Sequence, residues 1–117
     1  MAPLSAEVER RALAAARALA RHGRLRRAYL FGSHLEGRAD RWSDIDVAAF
    51  MDGVETWDLR RRARVMAEVQ EEVGYDVEAH LFPSAALEMS DPASFAEHII
   101  RHGLRIWEED TQTDPTG

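Results

Sequence analysis

The 117-residue chain predicts an α/β fold: a single mixed, twisted sheet of about four strands with helices packed on it. Three observations carry that expectation. Short apolar runs of strand length stand at 28–31, 45–51, 75–82 and 104–107. Runs of helical period alternate with them, and glycine or proline closes nearly every run. A chain of this length makes one domain, able to bury roughly two-thirds of its unfolded surface in a single core. Residues 1–107 form that domain, and 108–117 read as a polar, disordered tail.

The elements follow in order. Ser5 is placed to cap a first helix, with Glu7 and Glu9 in its first turn, where the helix dipole favours negative charge. Val8, Ala12, Ala15 and Leu19 recur at helical spacing up to a stop near His22 and Gly23. Arg24, Arg26 and Arg27 precede the first strand as a solvated rim, or as contacts for a polyphosphate or an acidic partner. Residues 33–38 predict a short helix, and Trp42 a packing plug beside the second strand. Thr56 is placed to cap a third helix with an apolar stripe of Leu59, Ala63, Met66, Val69 and Val73, stopped by Gly74. One helical turn is expected over 84–89. Asp91-Pro92 then predicts the start of a helix that carries Phe95, Ile99 and Ile100 and stops at His102-Gly103. His98 and His102, four apart on that helix, read as a solvated pair.

The chemistry concentrates where Phe31-Gly32-Ser33 is followed, ten residues on, by Asp44-Ile45-Asp46. Glycine after a strand lets the backbone approach a ligand closely, and a helix beginning there turns free N–H groups toward an anion. Ser33 adds a hydroxyl for a phosphate oxygen. Side chains alternate along a strand, so Asp44 and Asp46 share a face while Ile45 and Val47 point into the core. Carboxylates so close repel unless a cation sits between them, and hard oxygen donors without cysteine favour Mg2+ or Mn2+. An Asp-x-Asp pair alone is expected about 0.7 times in a chain of this composition, but with Gly-Ser at that offset only about 0.002 times. The combination, not the pair, carries the signal. It implies a nucleoside triphosphate bound with divalent ions and in-line displacement at phosphorus.

Composition narrows the classes further. With no cysteine, thiol nucleophiles and disulfides are excluded. All fifteen basic residues are arginine, which excludes a Walker A ATPase, a Schiff-base enzyme and a lysyl-adenylate ligase. The net charge of −6 makes direct nucleic-acid binding an unfavourable reading. No apolar run has the length of a membrane span, and no signal peptide is evident, so a cytoplasmic protein is expected. A homo-oligomer is left open.

Gly32-Ser33, Gly37, Asp44 and Asp46 together resemble the signature of the polymerase-beta-type nucleotidyltransferase superfamily. The small size resembles its minimal nucleotidyltransferases, the antitoxin partners of HEPN-domain toxins. That resemblance implies a nucleotidyltransferase-like sheet and a third carboxylate on a later strand. Asp76, Glu78 and His80 share the polar face of the third strand, so periodicity leaves Asp76 and Glu78 both open, and the family pattern favours Glu78. It further implies an Mg2+-dependent enzyme of the protein-adenylyltransferase kind. AMP would pass from ATP to an acceptor hydroxyl, a tyrosine of a HEPN toxin. Asp44, Asp46 and Glu78 would hold two Mg2+ ions, and Gly32 and Ser33 the outer phosphates. His34 stands where relatives often have arginine. Two other readings are a binding module that only masks its partner and a stand-alone transferase acting on a small molecule or an RNA end.

Overall fold

The computed structural model describes residues 4–40, 42–88 and 91–109. Helix α1 (Ala6–Ala20) begins as its sequence predicts: the Ser5 hydroxyl accepts from the amides of Glu7 and Val8, and Ala12, Ala15 and Leu19 are buried. Strand β1 (Leu25–Phe31) starts three residues ahead of its apolar run. Leu25 is buried, while Arg26 and Arg27, expected before the strand, lie within it and pair with Asp52 and Glu108. Helix α2 (Ser33–Glu36) is a single turn, and strand β2 (Ile45–Met51) opens at Ile45, one residue after Asp44. Trp42 is 78% exposed and does not plug the core; Trp57, at 7%, fills that role.

Helix α3 (Leu59–Val73) departs from expectation at its start. Asp58, whose carboxylate accepts from the Arg61 amide, is the cap, and Thr56 closes the preceding 3-10 turn by donating to the Gly53 carbonyl. The buried face is Val65 and Val69 with Met66 and Val73 beside them, whereas Leu59 is 82% exposed and Ala63 also faces out. The cause lies under the first turn. Val54 and Trp57 already fill the core there, and the Arg62 guanidinium takes the Val54 and Trp57 carbonyls, so the helix turns Leu59 away.

Strand β3 (Val77–Pro83) is followed by a 3-10 turn at Ser84–Leu87; Met89, where the expected turn ended, lies outside the described residues. Helix α4 (Phe95–His102) is capped by Ser94, not Asp91. Asp91 closes a separate turn, accepting from Ala93 at its side chain and from Ser94 at its carbonyl. The winning signal was Ser94 with Glu97 three residues on, the spacing of a capping box. Strand β4 (Leu104–Glu108) runs one residue past its expected end, and Glu109 pairs with Arg24; residues 110–117 of the expected tail lie outside the described residues.

The four strands form one mixed sheet in the order β3-β2-β1-β4. β1 is antiparallel to both β2 and β4, while β2 and β3, joined through α3, run parallel. Strand alternation divides the sheet's two faces cleanly. Ala28, Leu30, Ile45, Val47, Ala49, Val77 and Ala79 join the core with α1 and α3 residues. The opposite face carries Tyr29, Ala48 and Phe50 under Ile99 of α4. Helix α4 is only eight residues long, and Asp46, Glu78 and His80 on that face stay partly open to solvent.

Candidate active site

Register brings the site together. Phe31 of β1 lies opposite Asp46 of β2, and Asp46 lies opposite Glu78 of β3. Residues paired across a sheet project to the same side, and Glu78 and His80, two apart, share that side as well. The His80 Nε2 stands 3.1 Å from Asp46 Oδ1 and 3.3 Å from Glu78 Oε1. One ligand atom from each of Asp46, Glu78 and His80 lies within 4.8 Å of the others. Their side chains are partly open to solvent, 22%, 50% and 30% respectively, so the cluster can be reached by a ligand.

The corner after β1 meets this cluster directly. Gly32 has φ +88° and ψ −158°, a conformation essentially confined to glycine, and it caps α2 without a side chain. A Cβ on Gly32 would lie 2.6 Å from Asp46 Oδ2, so the missing side chain is what makes room for the carboxylate. Gly37 ends α2 in the left-handed conformation, and the Arg38 amide returns to the Ser33 carbonyl. A cleft of about 170 Å3 opens beside the corner between Phe31, Gly32, Leu35 and the α4 residues His98 and His102.

Asp44 stands just outside β2, exposed, and joins no group of three close metal-ligating side chains among the described residues. Its backbone approach is fixed from two sides. The His34 ring donates to the Ser43 carbonyl at 3.1 Å, and the Asp40 side chain accepts from the Trp42 amide and the Ser43 hydroxyl. His34 is thereby engaged in holding the loop that delivers Asp44.

Asp76 is committed elsewhere. Arg11 of α1 grips both its carboxylate oxygens while donating through Nε and Nη2 to the Val73 carbonyl. The hydrogen bond from Arg11 holds the Asp76 carboxyl below the usual range. Its own carbonyl accepts from the Ile45 amide at 2.7 Å, tying the starts of β2 and β3 together. Of the two acids that periodicity left open, Glu78 is thus the one beside Asp46. His80 is the residue that sequence reasoning placed on the right face without assigning it to the cluster. Alternation was the available signal, and it does not tell a neighbour of the acids from a bystander.

Arg24, Arg26 and Arg27 lie at the far end of β1, five to eight residues from Gly32, a separation of roughly 16–26 Å along an extended strand. They are taken up by Asp52, Glu108 and Glu109, and Arg24 holds the Glu109 carboxyl below its usual range. All three are thus engaged by acids of the chain itself, as a charged rim at that end of the sheet.

The sheet order, the corner and the acids define a nucleotidyltransferase-like α/β domain. The family model described as polymerase beta, nucleotidyltransferase matches residues 15–112, and the chain belongs to that family. Among solved structures it is similar to a toxin–antitoxin crystallised with AMP-PNP, at 22% identity and a TM-score of 0.58 over 87% of this chain and 74% of that one. It is also similar to a mutant of the toxin–antitoxin MntA–HpeT in which two aspartates two positions apart are glutamate. There the identity is 22% and the TM-score 0.53, over 79% of this chain and 69% of that one. A protein of Sulfolobus solfataricus assigned as a nucleotidyltransferase matches at 15% identity and a TM-score of 0.57, over 95% of this chain and 93% of that one. A search of curated proteins gives no match.

Proposed function

We propose that this domain transfers a nucleoside monophosphate, AMP from ATP, to the hydroxyl of a tyrosine on a HEPN-type toxin, and so acts as an antitoxin. The observation that carries the reading is the junction of the Gly32 corner with Asp46 and Glu78 in a chain of the polymerase beta family. Similarity to a toxin–antitoxin crystallised with AMP-PNP supports both the nucleotide and the partner.

The donor set fits divalent cations: two carboxylates and an imidazole with close ligand atoms, and a glycine whose absent Cβ leaves the carboxylate its place. Asp44, Asp46 and Glu78 would hold them, as two Mg2+ ions or Mn2+. When bound, such ions supply charge neutralisation at the phosphates and a more acidic acceptor hydroxyl. The chain's own residues do the rest. Gly32 and Ser33 seat the outer phosphates through backbone N–H groups and the Ser33 hydroxyl. The His34–Ser43 hydrogen bond holds the Asp44 loop against the corner. Glu78, half exposed, is open to the acceptor and can take its proton. The acceptor oxygen bonds the α-phosphorus, the bond to the β-phosphate bridge breaks, and pyrophosphate leaves.

The test is to incubate the full chain with labelled ATP, a divalent cation and its toxin partner, and to denature before counting. Label retained on the partner, and lost in the Asp44→Ala plus Asp46→Ala variant, is the expected result. A partner that is neutralised yet never labelled would leave masking as the whole activity.

A further inference from the structure

We propose that His80 is itself a ligand of the cation at Asp46 and Glu78, and that its imidazole turns this site toward Mn2+ over Mg2+. The inference rests on the transferase reading, which puts a cation beside these carboxylates, and adds a donor that the Asp-x-Asp pattern does not contain.

The geometry points to His80 in three ways. Its Nε2 lies 3.1 Å from Asp46 Oδ1 and 3.3 Å from Glu78 Oε1. Two donors bonded at about 2.1 Å to one octahedral cation stand about 3.0 Å apart along a shared edge, so the imidazole nitrogen already holds nearly that spacing from each carboxylate. Second, one imidazole nitrogen carries at most one proton and cannot aim it squarely at two carboxylates. A cation among the three satisfies them all. Third, the ring is braced: Phe31 meets it edge-on at 5.0 Å between centroids, and Phe95 at 6.4 Å. Both rings come from the sheet face and α4, so the nitrogen is positioned before any ion arrives.

Ligand type then decides selectivity. Mg2+ takes oxygen donors and dehydrates reluctantly, whereas a first-row transition ion accepts imidazole readily. Of the two ions that the transferase reading offers, Mn2+ is the one that takes a nitrogen together with two hard oxygens.

The experiment titrates Mn2+ into the full chain without nucleotide, following the free-ion electron paramagnetic resonance signal, and measures Mg2+ by displacement. The wild type is expected to bind Mn2+ at least about tenfold more tightly than Mg2+. His80→Ala should weaken Mn2+ by about tenfold or more and Mg2+ by less than about twofold. Nitrogen coupling in the spin-echo spectrum of Mn2+ bound to the wild type is a reading that needs no variant. Bound Mn2+ without that coupling, or equal loss of both ions in His80→Ala, overturns the assignment. Asp46→Asn separates the two levels: if it abolishes binding that His80→Ala leaves intact, only the role of His80 falls. If Asp46→Asn changes neither ion, the cation-site reading falls with it.

Discussion

At the scale of single residues, Gly32 carries the most consequence for its size. Its positive φ and the approach of Asp46 to within 2.6 Å of where a Cβ would stand make two separate demands for glycine. Gly32→Ala is therefore expected to lower stability by about 1–3 kcal/mol in urea unfolding. It should also push the Asp46 carboxylate off its place and reduce transfer by about a hundredfold, the usual cost of misplacing a reacting group by an ångström. A variant with wild-type transfer would show that the corner and Asp46 do not work together. The junction of Gly32 with Asp46 was legible in the sequence because the types and spacing of Gly32, Ser33, Asp44 and Asp46 are improbable together. The choice between Asp76 and Glu78 was not, since it depends on Arg11, which lies 65 positions from Asp76 and reaches it only in the folded chain. His80 was hidden for the same reason: its meaning comes from the β2–β3 register, which no local pattern encodes.

At the scale of elements, what the sequence showed best was periodicity, and what it showed least well was where each element begins. The alternation of β2 and β3 sorted Ile45, Val47, Val77 and Ala79 into the core as expected. Helix starts failed where two caps competed, as Thr56 did with Asp58 and Asp91 with Ser94, and hydrogen-bond geometry settled each. The α3 stripe failed at Leu59 and Ala63, since Trp57, just ahead of the helix and outside its periodic pattern, fills the core beneath the first turn. The Arg11–Asp76 pair is the clamp of one element on another, joining α1 to the end of α3 and the entrance of β3. Arg11 depresses the Asp76 pKa below its ordinary 3.8, so the pair's stabilisation is fully present above that value and is lost as pH falls through the folded-state value. Because the Asp76 side chain is 47% exposed, solvent screens the pair, and Asp76→Asn should cost about 0.5–1 kcal/mol at neutral pH. As pH falls below 3.8 and through the depressed folded-state value the variant and wild type should converge in urea unfolding, and a difference that persists below that value would assign the effect to something other than charge.

At the scale of the whole molecule, one face of the sheet is spent on stability and the other is divided between α4 and the acids. Helices α1 and α3 cover the first face with a continuous apolar core. Among the described residues, no helix is long and apolar enough to cross a membrane. The mixed sheet was legible as a class, since a helix between β2 and β3 calls for a parallel pair, but the order β3-β2-β1-β4 was not. That order assembles the candidate site, for it sets Phe31, Asp46 and Glu78 side by side with Gly32 at their margin. On the proposed function this arrangement moves a nucleotide, and not a terminal phosphate, onto a partner. Parallel reactions with ATP labelled at the α- or the γ-phosphate test it most directly. Label should stay on the denatured partner from the α-phosphate alone, with pyrophosphate released in equal amount. Retention from the γ-phosphate, or from neither, would contradict it.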